Sequence, residues 1–136
     1  MITAVDTSVI LDVLVDDPHY AAASETALRT ARAEGKLVVC ECVVAEIVPA
    51  LTAPTAMEEL LRDWALEYEP LTKEAAIAAG ENFARYLKRG GQAKRVLPDF
   101  LIGAHAEKAS DRLLARDRGY LRDYFSSLTL WDPSAG

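Results

Sequence analysis

The sequence predicts an α/β layered fold with a mostly parallel sheet, and three observations carry that prediction. Short apolar runs recur along the chain, segments of helical period separate them, and the runs are continuously apolar instead of alternating. Strands covered on both faces by crossover helices read in this way.

Ile2 to Val5 is expected to be the first strand, followed by a helix from Val9 to Val15 that Thr7 or Ser8 can cap. Pro18 to Ala33 has helical period and stops at Gly35. Leu37 to Cys40 follows as the second strand. Thr55 to Ala65 is the next helix, with Thr55 and Glu58 spaced as in a capping box. Leu66 to Tyr68 makes a weaker third strand. Lys73 to Leu87 repeats apolar side chains at Ala76, Ile77, Ala79, Phe83, Ala84 and Leu87, and Gly90-Gly91 ends it. A further helix opens at Asp99, and Leu113 to Ala115 and Leu128 to Trp131 supply the last strands.

A chain of 136 residues, 51% of them hydrophobic, suits one globular domain over residues 1–132 with a short frayed tail at 133–136. No stretch approaches the roughly 20 apolar residues of a membrane span, and no signal peptide opens the chain, so a soluble cytoplasmic protein is expected. Cys40 and Cys42 are too close for an unstrained disulfide and too few for a zinc site; reduced, buried thiols are expected. The net charge of −6 speaks against a nucleic-acid binder. Its distribution speaks the other way. "RYLKRGGQAKRVLP" carries five basic residues (Arg85, Lys88, Arg89, Lys94 and Arg95) and no acid, immediately before Asp99. A solvated face and a phosphate-binding strip are both open readings of that run.

In an open parallel sheet, ligands bind beyond the carboxyl ends of the strands. Asp6 follows the first strand, Glu46 lies in "CVVAEIVPAL" after the second, Asp99 opens a helix in "LPDFLIGAHAEKA", and Asp117 follows the fourth strand. Each has a local alternative. Asp99 after Pro98 can cap its helix, Asp117 before Gly119 can be a turn residue, and Asp6 can cap the first helix, a task Thr7 or Ser8 performs equally well. Glu46 resists a structural reading, because a buried, unpaired carboxylate among Val43, Val44, Ile47 and Val48 would be costly. Two carboxylates ~4 Å apart repel by about 4 kcal/mol at an effective dielectric near 20. Converging acids therefore need a cation or partial protonation, and hard oxygen donors select Mg²⁺ or Mn²⁺. Such a site in an open cleft suits phosphodiester hydrolysis.

"AVDTSVILDVL", "VVAEIVPAL", "LPDFLIGAHA", "LLARDRGYLRDYF" and "LTLWDP", in this order and spacing, resemble the PIN-domain family, most closely the VapC-type toxins of toxin–antitoxin pairs. The resemblance implies a three-layer α/β/α sandwich with a five-stranded parallel sheet ordered 3-2-1-4-5. It implies that Asp6, Glu46, Asp99 and Asp117 form an acidic quartet around Mg²⁺ or Mn²⁺, supported by Ser8. It further implies hydrolytic cleavage of RNA leaving a 5′-phosphate, with Asp99 or Glu46 assisting the water, a homodimer, and inhibition by a small antitoxin. Where many relatives carry Thr two residues before the last acid, this chain has Ala115. The basic run, with Arg112, Arg116, Arg118 and Arg122, is a candidate for binding RNA phosphates, although Arg116 or Arg118 can equally pair with the acids.

The rival classes lack residues they need. A haloacid-dehalogenase phosphatase wants a second Asp where Ser8 stands, and a receiver domain wants a phosphorylated Asp near Glu69, where "YEPLTKE" offers none. A histidine-based ribonuclease would need a pair, and nothing in the sequence pairs His19 with His105. A PIN module that only binds RNA or protein remains the alternative.

Overall fold

The computed structural model describes residues 1–92, 96–117 and 119–135. Along the chain lie β1 (Ile2–Val5), α1 (Thr7–Leu14), α2 (Ala21–Glu34), β2 (Lys36–Val39), α3 (Glu41–Ile47), α4 (Ala56–Asp63), β3 (Leu66–Tyr68), α5 (Lys73–Lys88), α6 (Leu97–Ala109), β4 (Arg112–Leu114), α7 (Tyr120–Tyr124) and β5 (Leu130–Trp131). Short 3-10 turns occupy Val48–Ala50 and Pro133–Ala135. The strands form one parallel sheet in the order β3-β2-β1-β4-β5 with helices flanking it, as the resemblance implied. Register pairs Thr3 with Arg112 and Val5 with Leu114, so β1 and β4 run side by side to the same edge.

The strands are short, and their helical cover makes them continuously apolar. Val5, Val38, Val39, Leu113 and Leu114 are all essentially excluded from water. The helix α6 is buried around most of its circumference through Phe100, Ile102, Gly103, Ala104, His105 and Ala106, which is why it shows no narrow apolar stripe. Phe83, Tyr86, Phe100, Tyr120 and Tyr124 interlock in one aromatic cluster that joins α5, α6 and α7.

Several local expectations are corrected. The second and fourth strands each begin one residue earlier than expected and end one earlier, and β5 keeps only Leu130–Trp131. Thr55 lies in the helical region and caps nothing; its hydroxyl instead donates to Glu59 Oε1 at 3.2 Å, so no capping box forms. The tail is not frayed over Pro133–Ala135, where Asp132 Oδ1 accepts from the Ser134 amide at 2.8 Å. Cys40 is buried and Cys42 only half-buried, both as free thiols. Among the described residues, no helix is long and apolar enough to cross a membrane.

Candidate metal centre

The strand order reverses at β1, whose neighbours β2 and β4 are reached in opposite directions, and a crevice opens there beyond the carboxyl edge. Asp6, Ser8, Glu46, Asp99 and Asp117 all line one cavity of about 350 Å³, together with Thr7, Arg116 and Tyr120. Four elements far apart in sequence deliver the acids to it.

Asp6 stands between β1 and α1 and is the N-cap of α1: its backbone is extended and its Oδ2 accepts from the Ser8 amide at 3.1 Å. The expectation that Thr7 or Ser8 would relieve it of capping is therefore wrong. A side chain one residue inside the helix cannot reach back to the same orphan amides as well as the residue at the boundary. The cap aims the carboxylate, and the Ser8 hydroxyl reinforces it with a 2.5 Å bond to the same oxygen. Ser8 Oγ also accepts from the Arg116 amide at 3.2 Å, which ties the β1 and β4 ends together. Ser8 thus bonds both to Asp6 and to the backbone at the end of β4.

The sequence offers Thr7 only as a cap for the first helix. Its hydroxyl donates to Glu46 Oε1 at 2.6 Å and fixes the acid across 39 residues of sequence. Glu46 is not buried among its valine neighbours. The helical twist of α3 turns Val43 and Ile47 inward and leaves Glu46 exposed at the cavity rim. Asp99 sits in the first turn of α6 but is not its cap; Val96 occupies that position without a side-chain bond. A carboxylate there is favoured by the positive end of the helix.

Asp117 combines two readings that the sequence set against each other. Its Oδ1 accepts from the amides of Gly119 at 2.9 Å and Leu121 at 3.3 Å, forming the turn into α7, and Gly119 supplies the positive φ of 102° that the turn requires. Its side chain is 1% exposed, and Oδ2 has no hydrogen-bond partner among the described residues. The Arg122 guanidinium is 3.4 Å from that oxygen but itself largely in water. The Asp117 amide is held in turn by Asp132 Oδ2 at 3.3 Å. Ala115 is fully buried and bonds only through its backbone, to the Trp131 carbonyl at 3.0 Å.

The basic residues divide. Arg85, Lys88 and Arg89 are exposed near the end of α5, with the Arg85 and Arg89 guanidiniums 5.8 and 5.4 Å from the Tyr124 ring centroid. Arg85 also donates to Asn82 Oδ1. The Tyr124 ring touches Tyr86, and Tyr86 touches Tyr120 on the cavity wall. Lys94, Arg95 and Arg118 lie outside the described residues. Arg112 is no part of the site: at the opposite end of β4 it donates to Thr3 Oγ1 at 2.9 Å and Glu34 Oε1 at 2.5 Å. Arg116 pairs with Asp12, an acid outside the quartet.

His105 is 2% exposed on α6, its Nε2 without a hydrogen-bond partner among the described residues, and burial lowers its pKa. It is a core residue.

Whether these residues fit a divalent cation can be judged from their chemistry. All the candidate donors are hard oxygens, and Asp117 Oδ2 is a buried anionic atom with no hydrogen-bond partner among the described residues and the Arg122 guanidinium as its ionic neighbour at 3.4 Å. Among the described residues, no three His, Cys, Asp or Glu side chains stand close enough to enclose an ion by themselves. Mg²⁺ usually keeps several waters and takes only one or two protein carboxylates, so an open, acid-lined cavity fits its chemistry where a closed thiolate or imidazole cage would not.

A doubly flanked parallel sheet with an acid-lined crevice at its switch point defines the class of protein. The chain belongs to the PIN-domain family, whose model matches residues 3–124. No curated protein sequence matches it significantly. Among solved structures, it is similar to VapBC2 from Rickettsia felis bound to a DNA fragment from their promoter, at 18% identity and a TM-score of 0.70, covering 97% of this chain and 100% of that one. FitAcB from Neisseria gonorrhoeae matches at 20% identity and a TM-score of 0.68, covering 98% of each chain. VapBC-1 from nontypeable Haemophilus influenzae matches at 16% identity and a TM-score of 0.71, covering 98% and 99%. At these identities the likeness establishes the fold.

Proposed function

We propose that this protein is a Mg²⁺- or Mn²⁺-dependent endoribonuclease, the toxin of a toxin–antitoxin pair. The observation that carries the reading is the convergence of Asp6, Glu46, Asp99 and Asp117 on one cavity, with a buried Asp117 oxygen lacking a hydrogen-bond donor among the described residues. Asp6 and Asp117, each aimed by backbone amides, would hold the cation with Asp99, and Ser8 would keep Asp6 in place. The cation would supply charge neutralisation at the phosphate and a more acidic water. The chain's own part is to present the carboxylates, to orient the phosphodiester and to accept a proton. Glu46, exposed at the rim with Oε1 accepting from Thr7, or Asp99 would take the proton from the attacking water and pass it to solvent. Water attacks phosphorus in line, the P–O3′ bond breaks, and the products are a 5′-phosphate and a 3′-hydroxyl.

RNA would reach the acids along the Arg85, Lys88 and Arg89 face, where guanidiniums backed by Tyr124 offset the repulsion between an acidic cavity and a polyanion. An antitoxin partner is supported by the similarity to the VapBC and FitAcB structures, and a homodimer by the family resemblance. A cytoplasmic setting follows from the same reading.

The test is cleavage of a fluorescent single-stranded RNA. Wild type is expected to cut it with Mg²⁺ or Mn²⁺, to stop in EDTA and to recover when the ion is restored. Asp117→Asn is expected to lower the rate by at least about 100-fold, the scale on which charged groups stabilise transition states. Binding of RNA without cleavage under any divalent ion would instead establish a non-catalytic PIN module.

A further inference from the structure

Asp12 and Arg116 stand beside the acids, and the reaction proposed above gives neither a role. Asp12 lies on the second turn of α1 and is 2% exposed, a setting where an unpaired carboxylate would be strongly destabilising. Three donors satisfy it: Ser24 Oγ of α2, Arg116 Nε and Arg116 Nη2, each at 2.8 Å. The guanidinium carbon is 4.1 Å from the centroid of the Tyr20 ring, so an aromatic face and a two-pronged carboxylate fix its plane. The side-chain hydrogen bonds that Arg116 donates to Asp12 raise the arginine's pKa.

The backbone of residue 116 is held as well. Its amide donates to Ser8 Oγ at 3.2 Å, and that hydroxyl donates to Asp6 Oδ2 at 2.5 Å. Ser8 and Asp12 are one turn apart on the same face of α1. Residue 116 is therefore pinned to α1 at two points, and the next residue is Asp117. A single hydrogen bond would leave the loop after β4 free to pivot; two anchors define both its position and its direction.

We propose that Asp12 and Arg116 form a positioning pair that locks the Asp117 carboxylate against Asp6 and thereby sets the affinity of the cavity for a divalent cation. The proposal rests on the metal-site reading above. Groups that hold metal ligands in place typically change metal affinity 10- to 100-fold when removed, about the scale expected here. Lysine cannot replace the arginine, because a point charge on a flexible stem lacks the two-pronged grip.

Mn²⁺ binding, followed by titration calorimetry and by the electron paramagnetic resonance of the unbound ion, separates this account from its rivals. Asp12→Asn, Arg116→Lys and Arg116→Met are each expected to weaken Mn²⁺ binding by about tenfold or more. The double variant Asp12→Leu with Arg116→Met leaves no charge buried alone, which keeps a folded protein available if a single variant fails. It is expected to bind Mn²⁺ as weakly as the single variants, since all break one linkage. Lower melting temperatures with unchanged Mn²⁺ affinity would reduce the pair to a brace for the fold and overturn the proposal. So would weakening by Asp12→Asn, strengthening by Arg116→Met and no change in the neutral double variant, the pattern of a pure charge effect. Failure of the wild type to bind Mn²⁺ at all would remove the metal-site reading itself, a result distinct from either.

Discussion

Asp6 does two things at once, and they can be separated by substitution. As the N-cap of α1 it accepts the Ser8 amide, and as a cavity acid it adds a negative charge beside Glu46, Asp99 and Asp117. Asparagine caps helices about as well as aspartate, whereas alanine removes a cap at a cost of about 1 kcal/mol. Without metal, Asp6→Asn is therefore expected to be at least as stable as the wild type in urea unfolding, and Asp6→Ala about 1 kcal/mol less stable than Asp6→Asn. Equal destabilisation by both would show that the charge strengthens the cap more than it repels the other acids. Asp6, Asp99 and Asp117 were legible in the sequence because each comes shortly after a strand or in the first turn of a helix. Their supports were not. Thr7 meets Glu46 39 residues away and Asp12 meets Arg116 104 residues away, and no local pattern encodes either contact. Glu46 was legible for the wrong reason: neighbours in sequence are not neighbours on a helix, and its exposure on α3 answers the burial problem that drew attention to it.

At the scale of elements, the wall of the cavity depends on a helix too short to stand alone. The five residues of α7 carry Tyr120 and Leu121 into the cavity lining, and isolated helices of that length are unstable in water. Packing on α6 holds it. A Cβ at Gly103 would stand 2.7 Å from Phe125 Cε2 and 3.0 Å from Leu121 Cδ2, so the absence of a side chain sets how closely α7 and the residue after it approach. Alanine would gain about 1 kcal/mol of helix propensity at that position, but overpacking a rigid aromatic contact costs about 1–3 kcal/mol. Gly103→Ala is expected to lose about 1 kcal/mol net in urea unfolding and to slow RNA cleavage, because Leu121 must move. A more stable variant with full activity would mean that α7 yields at no cost. The long helices were readable from their period, while α3 and α7 were not: a short apolar run fits a buried strand and a helical turn equally well. Thr55 shows the same limit, since its spacing to Glu58 matched a capping box whose geometry never forms.

For the whole molecule, the alternation of strand and helix fixed a parallel sheet, but not its order; nothing local in five short strands says which lies beside which, and 3-2-1-4-5 came from the resemblance. That order matters because it places β1 against β4, and so Asp6 near Asp117. Burying both faces of so small a sheet leaves some polar groups inside, and His105 is one of those that should make global stability depend on pH. It packs within α6, and its pKa is lowered, first by burial; the Glu69 backbone and the charges of Glu41 and Glu69 oppose that shift incompletely. A histidine whose folded-state pKa lies below its unfolded value of about 6.5 binds its proton more tightly in the unfolded chain. Stability is then fully present above the unfolded value and declines as pH falls below it, until the folded-state pKa is passed. Between about pH 7.5 and 5.5 the slope for one proton cannot exceed about 1.4 kcal/mol per pH unit. Urea unfolding across that range is expected to show the wild type losing stability toward acid and His105→Leu holding a flatter profile. Leucine also removes a buried nitrogen that has no hydrogen-bond partner among the described residues, so His105→Leu should be no less stable than the wild type at the acid end of the range even if it is less well packed at neutral pH. Parallel profiles for the two proteins would place the pH dependence elsewhere in the molecule.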